Sequence, residues 1–469
     1  MGREYIPRLR EMWPRSVRLA LAALLTAALV AVLVLTAGSG EEGRPRAKPR
    51  IALPSAASLA RAVTAGGIER HMAALERIAA RNHGNRAAGR RGYRESARYV
   101  QARLRAAGWR VSEQPARFPY FEERSPARVS AGGRSVRAAA LRFSGSGAAR
   151  VRATPVGRGC RAADYSRLAK AAIAVAARGG CLLRAMALAA QRAGASALLV
   201  YDPARDGPPL AGTLIGPAAR IPVVAVHRRT GLALGRAQPR VRVRVDAFSG
   251  RRRDVNVLAE LGRGRRTIMA GAHLDSVPEG PGVNDDGSGI GTLLELAERM
   301  GRGRERPRRR VRLGFWASEE LGLYGSRRYL RGLSRPERRA LAAYLNLDMV
   351  GSANGGRFLY GGRAGAAATG ARAVRRLFRR RGVALARIAV GGSSDHAPFA
   401  RAGVPVLGLF SGADEVKTRA QQRRWGGRAG RPFDACYHLS CDGFRRVDRR
   451  TLSELSDGVA VALYAMAYR

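Results

Sequence analysis

From Asn256 onward the chain repeats one pattern: an apolar run of strand length, a short loop, then a run with helical spacing. The runs Asn256–Glu260, Thr267–Ala272, Val311–Ala317, Tyr344–Leu347 and Val404–Phe410 are nearly continuous in apolar residues. Strands buried on both faces read this way. Between and after them come helical stretches. Ser288–Met300 sets Ile290, Leu293, Leu294 and Ala297 on one side, Ala371–Arg381 is helical, and Thr451–Tyr468 repeats the spacing with Leu452, Leu455, Val459 and Leu463. Strands alternating with helices require an α/β fold, a mainly parallel mixed sheet covered by helices on both faces. Sites in such sheets sit beyond the carboxyl ends of the strands.

The residues that follow each strand therefore matter most. His273-Leu274-Asp275-Ser276 follows Thr267–Ala272, Ser318-Glu319-Glu320 follows Val311–Ala317, and Asp348 closes Tyr344–Leu347. Between the first strand and its helix, a glycine-flanked loop carries the adjacent carboxylates Asp285 and Asp286. Two carboxylates this close ionise together at a cost unless a cation neutralises them. One acidic turn, or one pair of glutamates at a helix start, has an ordinary structural explanation. Three successive strand ends bearing ligand-type residues do not. A rim rich in carboxylate oxygen with few imidazoles suits zinc. A shared carboxylate suits two ions about 3.5–4 Å apart.

Ahead of this region, Glu69–Ala80 and Gly92–Ala107 read as helices, and Trp109–Gln114 as a strand. Residues 124–247 have a different texture. Short strands fit Val151–Val156, Ala172–Ala177, Ala197–Tyr201 and Ile221–Val226, and a helix fits Met186–Ala193. No cluster of histidines and carboxylates occurs there, so this is a small β-rich domain without chemistry of its own.

The N-terminus carries a targeting signal. Arg3, Arg8, Arg10, Arg15 and Arg18 precede an uncharged run from Leu19 to Ala37, long enough as a helix to match the hydrocarbon core of a bilayer. Residues 1–37 thus read as a cytoplasmic tail with a signal peptide or uncleaved anchor, and residues 38–68 as a linker. The chain beyond should lie outside the cell, secreted or held at the outer face of the membrane. Four cysteines in two close groups, Cys160 with Cys181 and Cys436 with Cys441, suggest two disulfides in such a compartment.

The net charge is +50, with only Lys48, Lys170 and Lys417 as lysines. The arginines are spread along helices and loops. They form no basic tail, aromatics do not interleave with them, and no zinc-finger or RNP-like pattern occurs. A compositional bias toward arginine accounts for the charge, and nucleic acid is not an expected partner.

At the strand-end residues the sequence resembles the co-catalytic zinc aminopeptidases, particularly the secreted Streptomyces type. The strings that carry the likeness are His273–Val277, Gly282–Gly289, Trp316–Ser326, Asn346–Ser352 and Ser394–Phe399. Phe410–Ala413, Trp425–Gly427 and Cys436–Asp442 add to it. The likeness covers about residues 256–469, with weaker similarity over 69–120. It implies an aminopeptidase that hydrolyses N-terminal residues, hydrophobic ones by expectation, from peptides with a free N-terminus, through two zinc ions and a water between them. His273 and Asp348 would hold one ion, Glu320 and His438 the other, and Asp285 both. Glu319 would be the general base, Tyr437 would stabilise the oxyanion, and Phe410 would line the substrate pocket. Asp275 and Asp286 would brace the ligands, and the Asp285–Asp286 peptide bond would be cis.

His396 would lie near the site without ligating. His71, His83 and His227 read as packing or surface residues. Residues around Gly159-Cys160, Gly179-Gly180-Cys181 and Gln191–Ala195 resemble a protease-associated domain, which implies a Cys160–Cys181 disulfide. The division that follows is 69–123 as the first part of the peptidase, 124–247 as the inserted domain and 248–469 as the catalytic domain. Two residues depart from the Streptomyces type. Ser393 replaces an arginine before Ser394-Asp395-His396, and Ser453 replaces one calcium-binding aspartate although Asp457 matches the other, so calcium is not carried over. Glutaminyl cyclases, carboxypeptidase-like enzymes and metal-free receptor-like proteins share the fold and stand as alternatives.

Overall fold

Two long strands, Arg110–Ala131 and Arg240–Leu261, organise the molecule. They pair antiparallel from Arg110 opposite Glu260 to Ala131 opposite Val241, with register shifts around Ser125. The computed structural model describes residues 49–468, so the Leu19–Ala37 segment lies outside the described residues. Among those described, no helix is long and apolar enough to cross a membrane.

On one side of the long pair lies the catalytic sheet. Arg310–Trp316 pairs antiparallel with the Val257–Leu261 end and parallel with Thr267–His273. Leu341–Leu347 and Val406–Phe410 continue the parallel order, Phe358–Gly361 returns antiparallel, and the short strand Ala386–Arg387 forms the far edge. Every residue of Thr267–His273 and of Leu341–Leu347 is buried. Helices on both faces explain that burial. Gly287–Arg302 and Arg449–Ala467 contribute Ile290, Leu293, Leu294, Leu452, Leu455 and Val459 to the main core. Aspartate side chains cap both helices: Asp286 accepts from the Gly289 amide and Asp448 from the Thr451 amide.

At the other end, Gly147–Pro155 pairs with the Arg240–Val245 end of the second long strand. Ile173–Ala177, Ala197–Tyr201 and Val223–Val226 follow in parallel. A disulfide joins Cys160 to Cys181 there, and a second joins Cys436 to Cys441 in the catalytic part.

Two features differ from the sequence reading. The small domain shares two unbroken strands with the catalytic sheet, where only Trp109–Gln114 and Asn256–Glu260 were expected. Pro115 and Pro119 break the strand signal. They are tolerated because Arg110–Ala131 runs along an edge, where a missing N–H costs no ladder bond. In the second strand, Arg251-Arg252-Arg253 obscures the alternation that Val241, Val243 and Val245 begin. The stretch read as a linker also contains a helix, Ala56–Ala62, capped by Ser55, with Leu53, Leu59, Ala60 and Val63 buried in the main core.

Asp254 sits buried in the second long strand, and the Gly89 amide donates to its Oδ2 at 2.5 Å. Burial pushes its carboxyl up to about 7. An unfolded chain releases this proton near pH 4, roughly. Between those values the folded state holds a proton the unfolded state has lost, so this group's contribution to stability falls as pH rises and is gone above 7. Asp254→Asn should therefore narrow the difference between melting temperatures measured at pH 5 and pH 8. An unchanged difference would assign the pH dependence elsewhere.

Candidate metal centre

Neighbouring parallel strands deliver His273 and Asp348 side by side, one as the last residue of Thr267–His273 and one just beyond Leu341–Leu347. The imidazole Nε2 of His273 lies 3.0 Å from Asp285 Oδ1 and 3.7 Å from Asp348 Oδ1. Its Nδ1 lies 2.9 Å from the Asp275 carbonyl. In the neutral ring, Nδ1–H donates to that carbonyl, which turns the Nε2 lone pair toward the carboxylates.

His438 arrives from the loop that the Cys436–Cys441 disulfide closes. Its Nε2 lies 3.2 Å from Asp285 Oδ2 and 3.1 Å from Glu320 Oε2. Asp285 thus turns one oxygen to each imidazole. The distant stretches containing His273, Asp285, Glu319, Glu320, Asp348, Tyr437 and His438 all line one cavity of about 440 Å³, and Phe410 lines it too. Tyr437 stacks on the His438 ring with centroids 3.8 Å apart.

Asp275 and Asp286 face backbone. Asp275 accepts from the amides of Glu319 at 3.0 Å and Glu320 at 3.3 Å. Asp286 accepts from the amides of His273 at 3.1 Å, Gly289 at 3.0 Å and Met349 at 3.2 Å. These contacts tie three strand ends together. The peptide bond between Asp285 and Asp286 is cis.

The charge balance explains what such a site would take up. Burial, and then the carboxylates of Asp395, Asp348 and Glu320, raise Glu319 well above the usual range, against the pull of His273. Burial and Asp285 bring Glu320 to about 7. Burial would lower His273, yet Asp285 and Asp348 raise it well above its ordinary value. Burial would raise Asp285, but His273 and His438 hold it below the carboxylate range. Burial and four carboxylates, Asp285 first, keep the Tyr437 hydroxyl protonated. The pocket concentrates negative charge, and among the described residues no arginine or lysine lines it. Glu320 Oε1 is buried with no hydrogen-bond partner among the described residues. Two groups here have donor atoms close enough to hold one ion, all within 4.8 Å: His273 with Asp285 and Glu320, and His273 with Asp286 and Asp348. Nitrogen and carboxylate donors with an orphaned oxygen fit zinc. Because backbone amides already occupy the Asp286 oxygens, Asp285 has the freer carboxylate.

His396 lines the same cavity, but its Nε2 lies 2.9 Å from the Gly391 carbonyl. His71 is buried, with Nδ1 2.7 Å from the Tyr99 hydroxyl. It forms a third possible ligand group with Glu295 and Glu298, but Arg299 and Arg103 pair with those glutamates.

Sequence reasoning passed over three residues that hold the site together. Asp442 accepts from the amides of Asn284 at 2.8 Å and Asp285 at 3.1 Å, which pins the acidic loop to the cysteine loop. The Asn284 amide group donates to Asp434 at 2.6 Å. Arg86, fully buried, donates to the carbonyls of Leu274, Pro281 and Gly282. Asp442 and Asn284 stood inside recognisable strings. Arg86 carried no signal among so many arginines.

Comparison with known proteins agrees with this geometry. The model of peptidase family M28 matches residues 256–463, and that of the PA domain matches residues 149–234. A probable lipoprotein aminopeptidase of Mycobacterium tuberculosis is 35% identical over 468 residues, 94% of this chain and 93% of that protein. The leupeptin-inactivating enzyme 1 of Streptomyces exfoliatus is 44% identical over 200 residues, 42% of this chain and 45% of that protein. Among solved structures, a zinc aminopeptidase of Bacillus subtilis superposes with a TM-score of 0.61 at 25% identity, over 87% of this chain and 96% of that one.

Proposed function

The chain belongs to peptidase family M28 and is a metallo-aminopeptidase, and from that premise we propose that it removes N-terminal residues, preferentially hydrophobic ones, through a two-zinc site. The observation that carries the reading is Asp285, whose two oxygens face His273 and His438 from opposite sides. In this reading His273 and Asp348 hold one ion, Glu320 and His438 the other, and Asp285 is shared.

Zinc bound there would polarise the scissile carbonyl and ease deprotonation of the attacking water. The remaining work belongs to side chains. Glu319, buried on the rim, accepts the proton from that water and returns it to the departing amine. Tyr437 retains its hydroxyl proton and donates it as a hydrogen bond where the carbonyl oxygen gains charge. Phe410, with Met349 and Ile388, gives the first side chain an apolar wall. The carboxylates at the closed end attract a free ammonium group, which favours exopeptidase action. The arginine-flanked apolar run Leu19–Ala37 supports export of the enzyme in this reading, with peptides as its partners.

Purified protein is expected to contain two zinc ions per chain and to hydrolyse leucine p-nitroanilide. Chelation should abolish the activity and zinc should restore it. One zinc with cyclisation of a glutaminyl peptide would replace this reading with a cyclase. Intact fold with neither zinc nor hydrolysis would replace it with a binding protein.

A further inference from the structure

The strands that carry the metal rim at their carboxyl ends have a contrasting edge at their amino ends. A cavity of about 440 Å³ there is lined by Arg266, Arg335, Arg338 and Arg339. A second, of about 360 Å³, shares Arg338 and Ala402 with it and adds Arg327, Arg331 and Arg401. Arg266 immediately precedes Thr267–His273, and the helix Arg335–Ala340 leads directly into Leu341–Leu347. A seven-residue strand separates this edge from the rim, roughly 20 Å.

Among the described residues no aspartate or glutamate lines either cavity. Glu337, on the same short helix, is occupied by the amide and hydroxyl of Ser334 at 2.8 and 2.7 Å. Some arginines elsewhere in the fold meet carboxylates, as Arg299 does Glu295, Arg357 does Glu454 and Arg381 does Asp457, while many exposed ones stand alone; the edge differs in gathering seven around two adjoining hollows. Among the described residues none of the seven cavity arginines has an ion-pair partner; Arg338 reaches only the Leu330 carbonyl, at 3.2 Å. A general excess of arginine explains their number but not the exclusion of acids from two adjoining hollows. Seven unneutralised like charges repel one another, and an anion relieves that repulsion.

The backbone adds to the same field. Gly365, first residue of the 16-residue helix Gly365–Arg380, lines the first cavity, and Ala364 before it offers no side-chain cap. The helix's positive end therefore opens toward the arginines. Planar guanidinium groups match phosphate oxygens in forked pairs.

We propose that these adjoining cavities bind long-chain inorganic polyphosphate, docking the enzyme on it with the catalytic rim turned away. Two adjoining hollows with exposed arginines accept successive phosphate groups of one chain. The Arg-rich edge thus holds the protein where phosphate polymers accumulate and leaves the peptide cavity open.

Long-chain inorganic polyphosphate is the probe, titrated against the full chain across a range of salt. The variant Arg266→Gln/Arg335→Gln/Arg338→Gln/Arg339→Gln is expected to bind roughly tenfold or more weakly, and to lower the salt slope by about three, the value for four lost single-chain contacts. A control removes the same charge from the exposed Arg150, Arg152, Arg240 and Arg242 of the inserted domain, and should change affinity less than about twofold. Both variants should keep wild-type melting temperature and peptidase activity, which establishes that each is folded. Equal losses in the two variants would overturn the proposal in favour of bulk charge. So would undetectable polyphosphate binding, or binding to anionic phospholipid vesicles in its place.

Discussion

Glu319→Gln is expected to lose roughly 10³-fold in kcat, within the 10²–10⁴ range of a general base, while zinc content stays at the wild-type level. The expectation rests on where Glu319 sits. Its amide is fixed by Asp275 at 3.0 Å, while its carboxylate lines the cavity beside His273, Asp285 and Asp348. Replacing the carboxylate by an amide keeps the shape and the amide anchor but removes the basic oxygen. KM should change little, because the substitution removes an interaction made chiefly while the proton is in flight. The neighbouring substitution Glu320→Gln provides the contrast, since the Glu320 carboxylate meets His438 at 3.1 Å and its loss should lower zinc content together with activity. Side-by-side metal analysis and steady-state kinetics separate the two roles. Near wild-type kcat in Glu319→Gln would remove it as the base, and loss of zinc in that variant would make it a ligand.

The catalytic half was readable because its physics is periodic and its polar residues are confined. Runs such as Thr267–His273 are buried along their whole length, so they could only be central strands, and any His or Asp at their ends had to lie on one rim. The fold-level expectation followed from that spacing, and His438 reaches the rim because Asp442, just past the loop that Cys436–Cys441 closes, binds the amides of Asn284 and Asp285. What stayed hidden was specified by long-range contact. The long strands Arg110–Ala131 and Arg240–Leu261 have poor local signals and exist because each satisfies the other's backbone over most of its length. The helix Ala56–Ala62 is rich in alanine, with Leu59 as its one large core side chain, so its apolar face emerges only against the main core. Asp442 shows its role only once the cysteine loop and the acidic loop are seen in contact.

Arg86→Met should destabilise the protein by about 3–5 kcal/mol, the usual loss when one member of a buried charged arrangement is removed. Arg86 has no exposed surface, and its guanidinium donates to the carbonyls of Leu274 at 2.5 Å, Pro281 at 3.0 Å and Gly282 at 2.6 Å. Those carbonyls flank the 275–280 loop, which precedes the acidic turn. Burial lowers the Arg86 pKa, and Asp275, Asp442, Asp286 and Asp285 counter that effect. The arginine therefore does two jobs at once: it satisfies backbone acceptors that water cannot reach and supplies positive charge behind the aspartates of the rim. Methionine fills much of the volume but does neither. A fall in melting temperature of about 6–20 °C is expected, at 2–4 °C for each kcal/mol in a domain of this size class. Arg86→Lys tests which job dominates. One ammonium group keeps the charge but cannot reproduce the planar fork that reaches three carbonyls, so lysine should recover less than half of the loss. Full recovery by lysine would mean that charge alone matters, and unchanged stability in Arg86→Met would mean that the loops hold their shape without it.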